Sequence, residues 1–167
     1  KAVFSVVTYD ANDKILNTGN GFFISEKGVA ISDYALFKNA QRAVIITSEG
    51  EKMPVKAILG ANDMYDVVKF SVDITSKKVA NLTLSETPMT EGSKLWLLPY
   101  STQKVRSLTS GNVNSVDKIS DYAYYTINLP LKEKMVSCPL MNDEGLVVAL
   151  AQKASGQDTA TICYGVD

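Results

Sequence analysis

The stretch that decides the fold runs from Gly19 to Ser32 and reads GNGFFISEKGVAIS. Apolar and β-branched residues lie on both sides of Glu26, Lys27 and Gly28, a pattern that favours two strands joined by a tight turn. Glycine adopts a positive φ at little steric cost, and Gly28 stands where such a turn uses one. The stretch therefore predicts a β-hairpin.

Segments of the same kind continue on both sides of this hairpin. Strands are also predicted at 2–9, 43–47, 52–59 and 66–72, and then at 94–99, 104–110, 122–128, 135–141, 146–152 and 159–165. A polar stretch from Asp73 to Thr90 separates the two groups, and the only helical candidate is the short Tyr34–Asn39. About six strands on each side of the polar stretch favour an all-β fold of two antiparallel six-stranded barrels, residues 1–78 and 79–167. Trp96 lies between leucines and is expected in a barrel core.

The composition is that of a globular protein, and it excludes several classes of partner. Hydrophobic residues make up 46% of the 167 residues and charged residues 21%, which excludes wholesale disorder. Seventeen Lys and Arg against eighteen Asp and Glu give a net charge of −1, so no strong field attracts nucleic acid. No apolar run reaches the roughly 18–20 residues that a membrane helix needs. We therefore expect no nucleic-acid partner and no membrane span.

The chain contains no histidine, and this absence removes whole classes of chemistry. Catalytic Ser–His–Asp and Cys–His arrangements need an imidazole that titrates near neutral pH. Zinc sites usually combine histidine with cysteine, and here Cys138 and Cys163 are the only two cysteines, without CxxC spacing. Neither a GxxxxGK[ST] loop nor a GxGxxG helix start is present. We expect neither a metal nor a cofactor.

Two segments near the start of the chain resemble trypsin-like serine proteases of the HtrA (Deg) type. Gly19–Ser32 resembles the family's GSGFIIS-x-x-G-x-I-L-T, which leads into N-H-V-V-x-x-A with the catalytic histidine. Ungapped, the histidine position of this chain is Ala35. Residues 61–72 resemble D-x-x-x-D-L-A-V-L-K-I, which carries the aspartate of the triad, and Asp66 matches that aspartate.

A third segment, residues 134–148, resembles the family's G-N-S-G-G-P-L-x-N-x-x-G-x-V-I. Anchored on Pro139 and Gly145, it puts Val136 at the position of the nucleophilic serine. The oxyanion loop of the family corresponds here to Lys134, Met135, Ser137 and Cys138. Lysine at 134 disfavours the positive φ that the family's glycine permits there.

The resemblance therefore implies a chymotrypsin-like double barrel with a degenerate triad at Ala35, Asp66 and Val136. Such a pseudoprotease is expected to act as a binding or structural module, with an extended peptide in the cleft between the barrels as a candidate ligand. It is expected to be part of a longer protein with adjacent domains. By analogy with the family, its location is expected to be secreted space or the bacterial periplasm and envelope.

The residues leave two other readings open. The first is an active serine hydrolase that uses Ser137 as a relocated nucleophile and a non-histidine base such as Lys134, or the thiolate of Cys138. The second concerns the cysteines, since a disulfide between Cys138 and Cys163 and two buried free thiols are equally compatible with the sequence. Tyr34 is expected to fill space near the missing imidazole, and Asp66 to be a hydrogen-bonded structural carboxylate.

Overall fold

The computed structural model describes residues 2–62, 66–75, 78–85, 89–100, 109–119, 122–129, 137–154 and 157–162. Within these ranges the chain forms two closed antiparallel barrels of six strands each. The all-β double barrel predicted from the sequence is therefore confirmed. Among the described residues, no helix is long and apolar enough to cross a membrane.

The first barrel contains the hairpin predicted at residues 19–32 as two of its neighbouring strands. Its strands are β1 (Val3–Tyr9), β2 (Ile15–Phe23), β3 (Val29–Asp33), β4 (Arg42–Ile46), β5 (Lys52–Asn62) and β6 (Val67–Val72). They are arranged in the order β1-β2-β3-β6-β5-β4, and β4 closes the barrel against β1. The turn between β2 and β3 has Gly28 at φ 96°, as predicted. The single-turn helix α1 (Tyr34–Phe37) follows β3 directly.

The second barrel repeats this arrangement with different strand lengths. Its strands are β7 (Lys94–Leu97), β8 (Thr109–Ile119), β9 (Tyr122–Asn128), β10 (Pro139–Met141), β11 (Val147–Ala154) and β12 (Gln157–Ile162). Their order is β10-β11-β12-β9-β8-β7, and β10 pairs with β7 to close the barrel.

Each barrel has its own apolar core, and a third cluster joins them. Phenylalanine rings fill the first barrel, with Phe4 and Phe23 packed edge to face at 4.9 Å between centroids. Leucines dominate the second core, where the buried Tyr125 hydroxyl accepts a hydrogen bond from the Met89 N–H at 2.7 Å. The joining cluster contains buried residues of both barrels: Val3, Phe22, Ile31, Val67, Val147 and Leu150.

The segment between the barrels makes backbone hydrogen bonds to both of them. Leu82 donates to the Phe23 carbonyl of the first barrel at 2.8 Å. Ser85 donates to the Val147 carbonyl of the second barrel at 2.7 Å, and Val147 donates back to Thr83 at 2.9 Å. We call residues 78–85 the connecting strap, because they lie along both barrels rather than looping away from them.

Three details differ from the sequence-based predictions. The sequence predicts the first strand of the hairpin at Gly21–Ser25, whereas β2 already begins at Ile15. The strand predicted at 104–110 lies mostly outside the described residues, and the strand that the structure shows there, β8, runs from Thr109 to Ile119. The prediction that Trp96 lies in the core is wrong, because its ring is half-buried outside the core cluster and its indole N–H donates to Asp143 at 2.9 Å.

Candidate active-site region between the barrels

Helix α1 carries Ala35, the residue predicted at the histidine position. Ala35 is exposed in the first turn, and its backbone N–H donates to Asp66 Oδ1 at 2.7 Å. The N–H of Tyr34 donates to the backbone carbonyl of Asp66 at 3.1 Å. Asp66 therefore binds the start of α1 through its backbone and its side chain, which fits its predicted structural role.

Asp66 holds this position with an unusual backbone conformation. Its φ is 54°, in the left-handed region that aspartate and asparagine tolerate better than most residues. The Asp66 side chain also accepts a hydrogen bond from the Ala35 N–H, and this hydrogen bond helps to hold the left-handed backbone of Asp66. The Asp66 carboxylate thus binds a backbone amide in the first turn of α1.

Ser137 lies on the other side of the site and reaches across to the first barrel. Its hydroxyl donates to Asp33 Oδ2 at 2.6 Å, a hydrogen bond between residues 104 positions apart in the chain. Ser137 is 0% exposed and Asp33 is 4% exposed, so the hydroxyl has no open path to a substrate carbonyl. The φ of Ser137 is 71°, in the left-handed region that glycine adopts more easily than serine.

Asp33 is the functional-site residue that sequence reasoning missed. It is the last residue of β3 and directly precedes α1, and its side chain contacts Ser137 of the second half of the chain. The signal was present in the sequence, since an ionisable side chain ends a mostly apolar strand and such groups are buried only with partners. What the sequence did not give was the partner, Ser137.

Cys138 follows Ser137 and is a buried free thiol. Burial raises the pKa of this thiol from 9.0 to about 11, and the negative charge of Asp33 adds to the increase, while a hydrogen bond with the Tyr100 backbone opposes it. A thiol with so high a pKa contains almost no thiolate at neutral pH, which removes the form that attacks substrates. Of the two states that the sequence left open for Cys138, the structure shows the buried free thiol. Cys163, the other residue of the possible disulfide, lies outside the described residues.

Several predicted site residues fall outside the described ranges. Lys134, Met135 and Val136 belong to this group, so the predicted oxyanion-loop remnant is described only from Ser137 onward. Tyr34, predicted to fill space near the missing imidazole, is half-buried and packs against the core of the first barrel. Among the described residues, no group of three or more Cys, Asp and Glu side chains could hold a metal ion.

The described part of the site therefore brings Ala35 and Asp66 together by one hydrogen bond, and Asp33 and Ser137 by another. The Asp66 carboxylate accepts a hydrogen bond from an amide and the Asp33 carboxylate accepts one from a hydroxyl. The thiol of Cys138 is protonated at neutral pH.

Comparison with known proteins gives one family. The family model described as the trypsin-like peptidase domain matches residues 19–150. The match begins in β2, ends in β11 and includes the four positions discussed above. No curated protein matches the chain.

Proposed function

This chain belongs to the trypsin-like peptidase domain family, and we propose that it is a catalytically inactive member that acts as a binding or structural module. The family mechanism needs a hydroxyl that attacks, an imidazole that takes its proton and a carboxylate that orients the imidazole. None of the 167 residues is a histidine, so this chain supplies no imidazole. That absence carries the proposal.

The surroundings of Ala35 support the same conclusion. Alanine has no side-chain atom that accepts a proton, and the nearby Asp66 carboxylate is occupied by the Ala35 amide. Loss of the base alone lowers turnover in such enzymes by several powers of ten. Val136, aligned with the nucleophile, has only methyl groups to present.

The burial of Ser137 argues against the alternative of a relocated nucleophile. A serine nucleophile must expose its oxygen to the substrate and lose its proton to a base. Here the hydroxyl is fully buried and donates to a carboxylate that belongs to the other barrel. The raised pKa of the Cys138 thiol argues against a cysteine nucleophile for the reason given above.

The binding role and the finer family type are also part of this proposal. The order of the three sequence segments supports the HtrA type, and an extended peptide in the groove between the barrels is the ligand that such a fold would accept by strand addition. Location in secreted space or the bacterial envelope follows from that type alone.

Active-site labelling with a fluorophosphonate probe tests the inactive state directly, because only an activated hydroxyl reacts. We expect no labelling and no turnover of fluorogenic casein by the wild-type chain. A trypsin-like enzyme with its triad intact serves as the positive control. Labelling that disappears in Ser137→Ala would overturn the proposal in favour of the relocated nucleophile.

The binding role needs a separate measurement. Isothermal titration with unfolded, extended polypeptides should give a saturable signal if the groove accepts them. If no such polypeptide binds, the structural role is the one that remains.

A further inference from the structure

Among the described residues, strand β5 of the first barrel is paired along one edge for only part of its length. It pairs with β4 only from Lys52 to Pro54, opposite Val44 to Ile46. From Val55 onward it pairs with β6 alone among the described residues. An edge of this kind presents unpaired backbone N–H and C=O groups to which another strand can bind.

A pocket of about 250 Å³ lies along this open edge, between residues 55–58 of β5 and the segment 37–43. All four consecutive residues of β5 line it. The segment 37–43 on the other side of the pocket leads into β4, so the pocket lies where β5 loses its β4 partner.

A β-bulge explains how the edge is shaped there. The register between β5 and β6 shifts between Val55 and Ala57, which leaves Lys56 as the extra residue. Bulges bend a strand and re-aim its side chains. Lys56 is exposed at the rim of the pocket as a result, and Ile58, which is 52% exposed, lies beside it.

Both charged side chains that line the pocket are basic. Arg42 and Lys56 line it together with the buried apolar side chains of Phe37 and Ala43, and no Asp or Glu is among its described lining residues. The Arg42 guanidinium lies 3.8 Å from the Tyr9 ring centroid. Its Nε donates to the exposed Asp13 at 3.0 Å, which holds the guanidinium at this end of the barrel. Its two Nη groups make no hydrogen bond among the described residues.

We propose that this edge pocket binds an extended peptide segment in which acidic side chains alternate with apolar ones. The peptide backbone would add to the open edge of β5, an apolar side chain would lie over Phe37 and Ala43, and a carboxylate would pair with Lys56 and Arg42. All the residues that line this pocket belong to the first half of the chain, which forms the first barrel. The inference holds whether or not the chain hydrolyses peptides.

Fluorescence anisotropy with a labelled peptide of alternating valine and glutamate tests the inference. We expect saturable binding that weakens as salt is added, because exposed charge pairs are screened. A matched peptide with lysine in place of glutamate should not bind. The glutamate peptide with alternate backbone nitrogens methylated should bind far more weakly, because it cannot complete the strand pairing.

Two charge reversals on the same strand locate the binding. Lys56→Glu should weaken binding of the glutamate peptide by about three- to tenfold, the effect of replacing an exposed attraction by a repulsion. Lys52→Glu is the matched control, since Lys52 is also exposed on β5 but does not line the pocket. It should leave the affinity within about twofold of the wild type.

The outcomes separate this inference from the proposed function. If the glutamate peptide does not bind, or if both reversals weaken it equally, the inference is wrong. If it binds with no response to Lys56→Glu, the ligand lies elsewhere, and the groove between the barrels keeps its proposed role. Lys56-dependent self-association in sedimentation without peptide binding would assign the edge to a second copy and overturn the inference.

Discussion

At the scale of single residues, two carboxylates of the candidate site accept hydrogen bonds from distant parts of the chain. Asp66 lies against the start of α1, and its partner is the Ala35 amide. Ser137 has a left-handed backbone conformation, and its hydroxyl donates a hydrogen bond to Asp33. Each of these two carboxylates therefore accepts a hydrogen bond that stabilises the local structure.

The Ser137–Asp33 hydrogen bond should be measurable as stability. Ser137→Ala removes the donor, keeps the strained φ and leaves a buried carboxylate short of a partner, which should lower the free energy of unfolding by about 1.5–3 kcal/mol. Ser137→Gly loses the same bond but adopts the positive φ freely, which should recover about 1 kcal/mol. Urea denaturation of both variants measures the difference. Equal stabilities would show that φ at this residue costs nothing.

The buried thiol of Cys138 predicts a loss of stability in alkaline solution. Its pKa is 9.0 in an accessible thiol and about 11 in the folded chain, so the unfolded chain releases the proton first. The free energy of unfolding should therefore fall as the pH rises from 9 to 11, by up to about 3 kcal/mol from this group.

Cys138→Ala isolates that contribution, because other groups also titrate in this range. Urea denaturation at several pH values should give a smaller slope for the variant than for the wild type between pH 9 and pH 11. Parallel slopes for the two proteins would contradict the assignment.

At the scale of elements, close pairing of β8 and β9 places a strict demand on Gly111. A Cβ at this residue would overlap with the carbonyl oxygen of Asn128 and lie 2.7 Å from Leu129 Cβ. Backbone atoms in a paired strand cannot move aside cheaply, so Gly111→Ala should destabilise the chain by about 2 kcal/mol or more. Thermal unfolding followed by circular dichroism measures the effect.

Gly60 provides the matched control for this substitution. It also lies within a strand, β5, but a Cβ there would meet nothing within 4 Å. Gly60→Ala should be neutral or stabilise the chain by up to about 0.5 kcal/mol, because alanine has fewer unfolded conformations to lose. A loss as large as that at Gly111 would mean that any side chain on these strands is harmful.

The sequence predicted the elements better than the contacts between them. Local patterns such as the turn at Gly28 or the apolar run of β6 contain their own signals, and the structure confirms the strands that they predict. The start of β2 was missed because Ile15 and Leu16 are exposed apolar residues next to a polar turn. Trp96 was misplaced because alternation along β7 buries Leu95 and Leu97 and turns the ring outward.

The candidate site shows the same limit. Ala35 and Asp66 could be identified because each lies in a segment that resembles the family over many residues. The pair of Asp33 and Ser137 could not be, because it depends on which end of one barrel meets the other across 104 residues of chain. No local pattern carries that information.

At the scale of the whole molecule, the barrels are joined by apolar contacts as well as by the Ser137–Asp33 bond. Val147 and Leu150 of the second barrel pack in one cluster with Phe22 and Ile31 of the first. Such shared burial makes independent unfolding of either barrel unfavourable, because it would expose one face of the cluster. We therefore expect a single cooperative transition.

Two probes test this expectation. Trp96 is the only tryptophan and lies in the second barrel, so its fluorescence follows that barrel, whereas far-ultraviolet circular dichroism follows both. The two urea transitions should coincide in the wild type and in Leu150→Ala, with the variant less stable by about 2–5 kcal/mol. A fluorescence transition that precedes the dichroism transition would show that the second barrel unfolds alone.

The connecting strap has a consequence for motion. The strap is hydrogen-bonded to Phe23 of the first barrel and to Val147 of the second. Moving the two barrels apart would first have to break those hydrogen bonds. These hydrogen bonds therefore restrict how far the two barrels can move relative to each other. We expect a ligand that binds between the barrels to change their separation little.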